Sequence, residues 1–153
     1  MSNKQDTEVV IVPCSGIGKA FGSVGREAAY VVTEEMRAGC ANTLCLSLLT
    51  LGDEAARRRV REHPTITIDG CPKVCARVNV EKSGGEPAAT FRVFDVFRKH
   101  KELKTQRVSD IGEAGYKMAR ILAEEIAQKV DELRKEGESD AWPAREESRN
   151  HCL

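Results

Sequence analysis

The stretch EVVIVPCSGIGK, residues 8–19, decides the fold. Its β-branched run from Glu8 to Pro13 is typical of a fully buried strand, and the small residues after Cys14 are typical of a tight loop. Residues 23–36 follow with apolar side chains at helical spacing, and Ser23 is the predicted N-cap. We therefore expect a strand, a glycine-containing loop and a helix, in that order.

The same alternation of strands and helices continues along the chain. We predict further strands at 42–46, 65–68 and 90–97, and further helices at about 53–62, from 71 onwards, and from a capping box at Asp110 and Glu113 to a stop at Gly137. This order predicts a three-layer α/β fold, with a mainly parallel sheet of about four strands and helices on its faces. We expect one domain over 8–137, a disordered N-terminus at 1–7 and a flexible polar tail at 138–153.

The composition is that of an ordinary soluble domain, with 41% apolar and 31% charged residues among 153. Lys+Arg and Asp+Glu both number 24, so the net charge is zero and favours neither a nucleic-acid nor an anionic-membrane partner. The polar start MSNKQDTE resembles no signal peptide, and no apolar run reaches the length of a membrane span. We expect a cytoplasmic protein, in which spaced cysteines are metal ligands or redox groups more often than disulfides.

Cysteines occur at the ends of the predicted strands. Cys14, Cys45 and Cys71 each fall at or just after the end of a strand. Because the carboxyl ends of parallel strands meet at one edge of the sheet, we expect these thiols to lie together there. Cys75 follows Cys71 by four residues, and a helix that opens at Cys71, with Pro72 near its first position, would place both thiols on one face.

Four thiolates in a tetrahedral shell are a ligand set that suits zinc. Lys19 and Lys73 could offset the negative charge of such a site, and Asp69 and Ser15 could hydrogen-bond around it. The alternative for each cysteine taken singly is a small buried apolar side chain, which is common for free cysteine.

Four short motifs resemble a known family. They are CSGIGK at 14–19, GREAAY at 25–30, CL at 45–46 and IDGCPKVCA at 68–76. Over about residues 8–135 the chain resembles the DGC-domain family, which takes its name from an Asp-Gly-Cys motif and is described as zinc-binding. The resemblance implies that zinc is held by four cysteines: Cys14, Cys45, Cys71 and Cys75. Cys40 and Cys152 lie outside the family pattern, and the resemblance implies no substrate or pathway.

Other functions compete with zinc binding. Four thiolates also hold iron–sulfur clusters, and the ligand set does not separate the two. A thiol- or persulfide-transfer enzyme could use Cys71 and Cys75, although their spacing is one residue longer than the usual C-x-x-C.

Two nucleotide or phosphate chemistries are disfavoured. A cysteine phosphatase needs an arginine where Ala20 stands, and a P-loop needs a glycine where Pro13 stands.

We predict that the three histidines, His63, His100 and His151, are surface residues and not ligands. A closed four-cysteine site favours a structural, carrier or sensor role over an enzyme, and we predict no catalytic residue.

Overall fold

Four strands form one parallel sheet in the computed structural model, which describes residues 7–139. The strands are β1 (Val9–Pro13), β2 (Ala41–Thr43), β3 (Thr65–Asp69) and β4 (Pro87–Arg92), and their order in the sheet is β2-β1-β3-β4. The pairing of β1 with β2 aligns Val9 with Ala41, and its pairing with β3 aligns Val10 with Thr65. The predicted mainly parallel sheet of about four strands is confirmed.

Helices cover both faces of this sheet. They are α1 (Ala20–Tyr30), α2 (Leu46–Leu51), α3 (Glu54–Glu62), α4 (Cys75–Lys82), α5 (Val93–Lys99) and α6 (Gly112–Ser139), and α1 continues into a π-helical segment at Val31–Met36. Within the described part of the chain, no helix combines the length and the apolarity needed to cross a bilayer.

The alternating side chains of β1 divide the core into two layers. Val9 and Ile11 pack with α1, α5 and α6, whereas Val10 and Val12 pack with α2, α3 and α4. All four side chains are fully buried, so burial of each contributes about 1.5–3 kcal/mol to folding. The strand therefore lies at the centre of three layers, and its carboxyl end opens between the two helical layers.

The long helix near the end of the described chain follows its predicted apolar stripe. Its buried side chains recur every four residues, at Met118, Leu122, Ile126 and Val130. The predicted stop at Gly137 is wrong, because α6 runs on to Ser139. Most of the predicted tail, like the predicted N-terminal segment, lies outside the described residues.

Three other predicted elements also differ from the structure. Helix α1 begins at Ala20, and Ser23 is buried within it rather than capping it, because its Oγ donates to the Val108 carbonyl at 2.7 Å. The strand predicted at 90–97 ends at Arg92, and α5 begins at Val93. Val93 and Val96 are both buried, and a separation of three residues places them on one helix face. The strand predicted at 42–46 is shorter and earlier, and the short helix α2 follows it.

Candidate functional site

The two central strands leave a crevice at their carboxyl ends. The chain moves from β1 to β2 on one side and then returns past β1 to β3 on the other, so the order of the strands reverses between β1 and β3. The helix after β1 belongs to one helical layer, and the helix after β3 belongs to the other. In open parallel sheets, ligands bind at this switch point. Cys14 directly follows β1, and Cys71 lies two residues after β3.

Three glycines bring both loops at this crevice into backbone contact with the first turn of α1. A Cβ atom built on Gly70 would lie 2.4 Å from the nitrogen of Gly22, and one built on Gly22 would lie 2.3 Å from the Cα of Gly16. Neither distance accommodates a side chain. Gly16 also has a φ of 69°, which favours glycine. The absence of side chains here is what allows the loop that carries Cys14 to approach the loop that carries Cys71.

Asp69 connects the end of β3 to the start of α4. Its side chain is buried, and its Oδ1 and Oδ2 accept hydrogen bonds from the backbone N–H groups of Ala76 at 2.8 Å and Arg77 at 3.2 Å. Burial raises the pKa of the Asp69 carboxyl, and these two N–H groups oppose that rise. Both oxygens are therefore committed to the helix, so Asp69 positions the segment between Cys71 and Cys75.

The segment between the two cysteines is a turn and not the first turn of a helix. Val74 donates its N–H to the Cys71 carbonyl at 3.1 Å and has a left-handed backbone, with φ 44° and ψ 48°. This conformation is a genuine outlier for a β-branched residue. Helix α4 begins only at Cys75. The prediction of a helix that opens at Cys71 is wrong, and so is the placement of Cys71 and Cys75 one helical turn apart.

A pocket of about 200 Å³ lies at the crevice, and three of the four predicted ligands line it. They are Cys14, Cys71 and Cys75; the first two are half-buried, and Cys75 is exposed. Asp69 and Lys19 also line this pocket, which we call the thiol pocket. Of the groups predicted around the site, Ser15 lines the pocket as well, and Arg26 donates to its carbonyl at 2.9 Å. Lys73 is exposed and is not among the lining residues.

The Cys14 thiol is in a mixed electrostatic environment. Burial raises its pKa, the backbone N–H groups of Gly70 and Gly16 oppose this, and the negative charges of Asp69 and an ionised Cys71 raise it further. The two N–H groups favour a thiolate at Cys14, but the surroundings supply too little positive charge to make it the preferred form. A bound cation would supply that charge.

Cys45 lies outside the thiol pocket. It is exposed at the N-cap of α2 instead of on the predicted strand, since β2 ends at Thr43. The backbone N–H and the hydroxyl of Ser47 lower the pKa of the Cys45 thiol. Helix α2 packs against α4, so Cys45 belongs to the same edge of the sheet as Cys75.

No preformed metal centre is present in the part of the chain that the structure describes. Within residues 7–139, no group of three or more His, Cys, Asp or Glu side chains is arranged to hold a metal ion. The thiol pocket supplies the donor type that zinc prefers, but binding would require the thiols to move closer together.

The remaining cysteines and histidines do not join this site. Cys40 precedes β2 at the opposite edge of the sheet, where the Nη1 of Arg134 lies 2.7 Å from its sulfur. His63 and His100 are half-buried and are not among the pocket residues. Cys152 and His151 fall outside the described residues.

Sequence reasoning missed the roles of Gly22 and Gly70 in packing the two loops against the first turn of α1. Gly70 was visible as part of the Asp-Gly-Cys motif, and a glycine beside a strand end suggests close backbone approach. No motif or strand end marked Gly22 in the same way, because its contact with Gly16 joins α1 to the loop before it.

Comparison with known proteins gives a family and no individual relative. No curated protein and no solved structure matches the chain significantly. The family model of the DGC domain matches residues 10–115, which include all four predicted ligands and every strand of the sheet except the first residue of β1. This match covers well over half of the chain, and the protein therefore belongs to the DGC domain family.

Proposed function

We propose that this protein binds a thiophilic metal ion, zinc, through the thiolates of Cys14, Cys71 and Cys75, with Cys45 as the fourth ligand. The observation that carries the proposal is that thiols from the ends of the two central strands line one pocket at the switch point of the sheet. Incidental buried cysteines would not be expected to converge from separate strand ends on a single pocket.

The groups around the pocket favour zinc over metals that prefer oxygen ligands. The carboxylate of Asp69 is occupied by two backbone N–H groups, and no histidine lines the pocket, so sulfur is the available donor. Thiolates suit zinc and iron–sulfur clusters and do not suit magnesium or calcium. The choice between zinc and an iron–sulfur cluster is left to metal analysis.

Closing the thiols around a metal requires a local rearrangement that metal binding can offset. The turn between Cys71 and Cys75 is largely exposed, and Val74 within it already holds a strained backbone. Such strain costs on the order of 1–3 kcal/mol. Structural zinc sites contribute about 10–16 kcal/mol in apparent binding free energy, which is ample to reshape one turn and one short helix.

The participation of Cys45 determines what the metal can do. With four thiolates the coordination shell is closed, which favours a structural, carrier or sensor role. With only the three thiols of the pocket, one position remains open to water or a substrate, as in catalytic zinc sites. We propose the closed arrangement, since α2 places Cys45 at the same edge of the sheet as Cys75.

The test is metal analysis of protein purified without a histidine tag under reducing and anaerobic conditions. We expect about one zinc per chain by elemental mass spectrometry. Cys71→Ser and Cys75→Ser should each lose most of it. Cys40→Ser is the matched control, because this cysteine lies at the opposite edge of the sheet, and it should keep the metal.

The remaining outcomes are distinct. Retention of the full metal content in Cys45→Ser would reduce the site to three protein ligands. Iron with acid-labile sulfide would replace zinc by a cluster. If the wild-type protein holds no metal and takes up none from added zinc, metal binding is wrong, and rapid alkylation of Cys71 would then favour a thiol-transfer enzyme.

A further inference from the structure

A second and larger pocket adjoins the thiol pocket. It has a volume of about 450 Å³ and shares Lys19, Gly70 and Cys71 with the smaller one. It lies between the start of α1, the loop after β3, the junction of β4 with α5, and the loop before α6. A metal ion needs no such space, and pockets of about 300–1,000 Å³ are the size that small organic molecules occupy.

One wall of this second pocket is apolar and aromatic. Phe21, Pro72 and Phe94 line it, and Phe94 is 48% exposed although it is a large apolar side chain. The ring of Phe97 packs against both phenylalanine rings, with its centroid 5.2 Å from that of Phe21 and 6.4 Å from that of Phe94. Rings supported in this way offer a preformed flat surface to a ligand.

The charged groups of the second pocket are both cationic. Lys19 and Arg92 line it, and no carboxylate does. Arg92 is oriented by Asp95, whose oxygens accept from Nε at 3.0 Å and Nη2 at 3.1 Å, so the N–H groups of Nη1 remain to donate to a ligand. Within residues 7–139, the ammonium of Lys19 has no hydrogen-bond or ion-pair partner. Thr105 adds a hydroxyl to the lining.

We propose that this second pocket binds a small organic anion, with a flat apolar body and a carboxylate or phosphate group. The body lies against Phe21, Pro72 and Phe94, and the anionic group lies between Lys19 and Arg92. Since Cys71 lines both pockets, the bound molecule lies beside the thiol pocket. The proposal does not require a bound metal, because Lys19, Arg92 and the two phenylalanine rings lie outside the turn between Cys71 and Cys75 that metal binding would reshape.

The test uses the fluorescent probe 1-anilinonaphthalene-8-sulfonate, which carries an aromatic body and an anionic group. The protein is used as purified, with whatever metal it holds, and the probe is displaced by benzoate, phenyl phosphate and benzamide. We expect saturable binding and displacement by one or both anions, whose relative strengths distinguish a carboxylate from a phosphate ligand. The uncharged benzamide should displace the probe at least about fivefold less well than the better anion, which corresponds to one partly exposed charge contact.

Two substitutions and a control locate the binding. Lys19→Gln and Phe94→Ala should each weaken probe binding about fivefold, through loss of one charge contact and of part of an apolar wall respectively. Lys73→Gln should leave binding unchanged, since this lysine lies in the neighbouring turn but does not line the pocket. All three side chains are exposed, so we expect each variant to fold, and circular dichroism checks this.

Three results would overturn the proposal. They are no saturable binding to the wild-type protein, displacement by benzamide as effective as that by both anions, and equal binding by wild type, Lys19→Gln and Phe94→Ala. The metal content of Phe94→Ala is measured in parallel and should not change, because Phe94 does not line the thiol pocket. A failure of anion binding with the metal retained would therefore leave the metal proposal intact, and loss of metal from the cysteine variants is a separate readout.

Discussion

The substitution Gly70→Ala tests the idea that backbone contact between the loop after β3 and the first turn of α1 builds the site. The added Cβ would lie 2.4 Å from the nitrogen, 2.6 Å from the Cα of Gly22 and 2.7 Å from the carbonyl carbon of Phe21. All three are backbone atoms, so no side-chain rotation relieves the contact. Ordinary Cβ contacts begin at 3.4 Å, and the loop that carries Cys71 must therefore move by about 1 Å.

A movement of this size has two measurable consequences. Overpacking of this kind costs typically about 1–3 kcal/mol, which for a domain of this length lowers the unfolding temperature by roughly 2–12 °C. A displaced Cys71 loop adds to the rearrangement that metal binding must drive, so the substitution should also reduce the metal content.

The assay combines thermal unfolding by circular dichroism with elemental analysis of the same samples. Gly18→Ala is the matched control, because Gly18 lines the same pocket but a Cβ on it meets no atom within 4 Å. This control should unfold at the wild-type temperature or slightly above it and keep its metal. If Gly70→Ala matched Gly18→Ala in both measurements, the role assigned to the glycine contacts would be wrong.

Three further predictions concern Asp69, Val74 and the ion pair of Asp131. Asp69→Ala should lower the free energy of unfolding in urea by about 2–4 kcal/mol and reduce the metal content. The control Asp53→Ala removes a similar cap from α3, and it should lower the free energy of unfolding by about 1 kcal/mol and keep the metal. Equal losses of metal in the two variants would refute a positioning role for Asp69. Val74→Asn should raise the unfolding temperature, because asparagine tolerates a backbone that costs a β-branched residue about 1–2 kcal/mol, and a lower temperature would contradict this. The hydrogen-bonded guanidinium of Arg37 lowers the pKa of Asp131 below its ordinary 3.8, so the ion pair stabilises the fold above that pH. This stabilisation is lost as the pH falls through the lowered pKa that Asp131 has in the folded protein. Near neutral pH, Asp131→Asn should therefore unfold at a lower urea concentration than wild type, with a loss of less than about 1 kcal/mol in the free energy of unfolding. In strong acid the two proteins should unfold at the same urea concentration. A difference that persisted in acid would exclude the ion pair as its cause.

The alternation of strands and helices was predictable because it depends on local hydrophobic patterns. The strands β1 and β3 are short β-branched runs, and the stripe on α6 recurs every four residues, so both patterns are readable without tertiary information. The short elements were not predictable in the same way. The pattern of residues 90–97 fits a single strand as well as it fits a strand followed by a helix. The burial of Val93 and Val96 on the same side is what makes the second half helical.

The meeting of Cys14 and Cys71 at one pocket was predictable from the sequence, whereas the geometry of that pocket was only partly predictable. The placement of Cys14 and Cys71 at strand ends, together with the parallel sheet, was sufficient to predict that they meet. The prediction failed for the turn after Cys71, since Pro72 suggested a helix start. The buried carboxylate of Asp69 instead accepts from Ala76 and Arg77 and so delays the helix to Cys75.

By itself, the sequence determined the class of fold, the β-branched strands β1 and β3, and the thiols that follow the ends of these strands, because each depends on side-chain periodicity or on chain order. Only the tertiary structure decided that Gly16, Gly22 and Gly70 pack backbone to backbone. It alone also decided that Cys45 lies outside the thiol pocket, and that a larger pocket with Lys19 and Arg92 adjoins it. The physical reason is that these features depend on distances of a few ångströms between segments far apart in the chain, which no local pattern specifies.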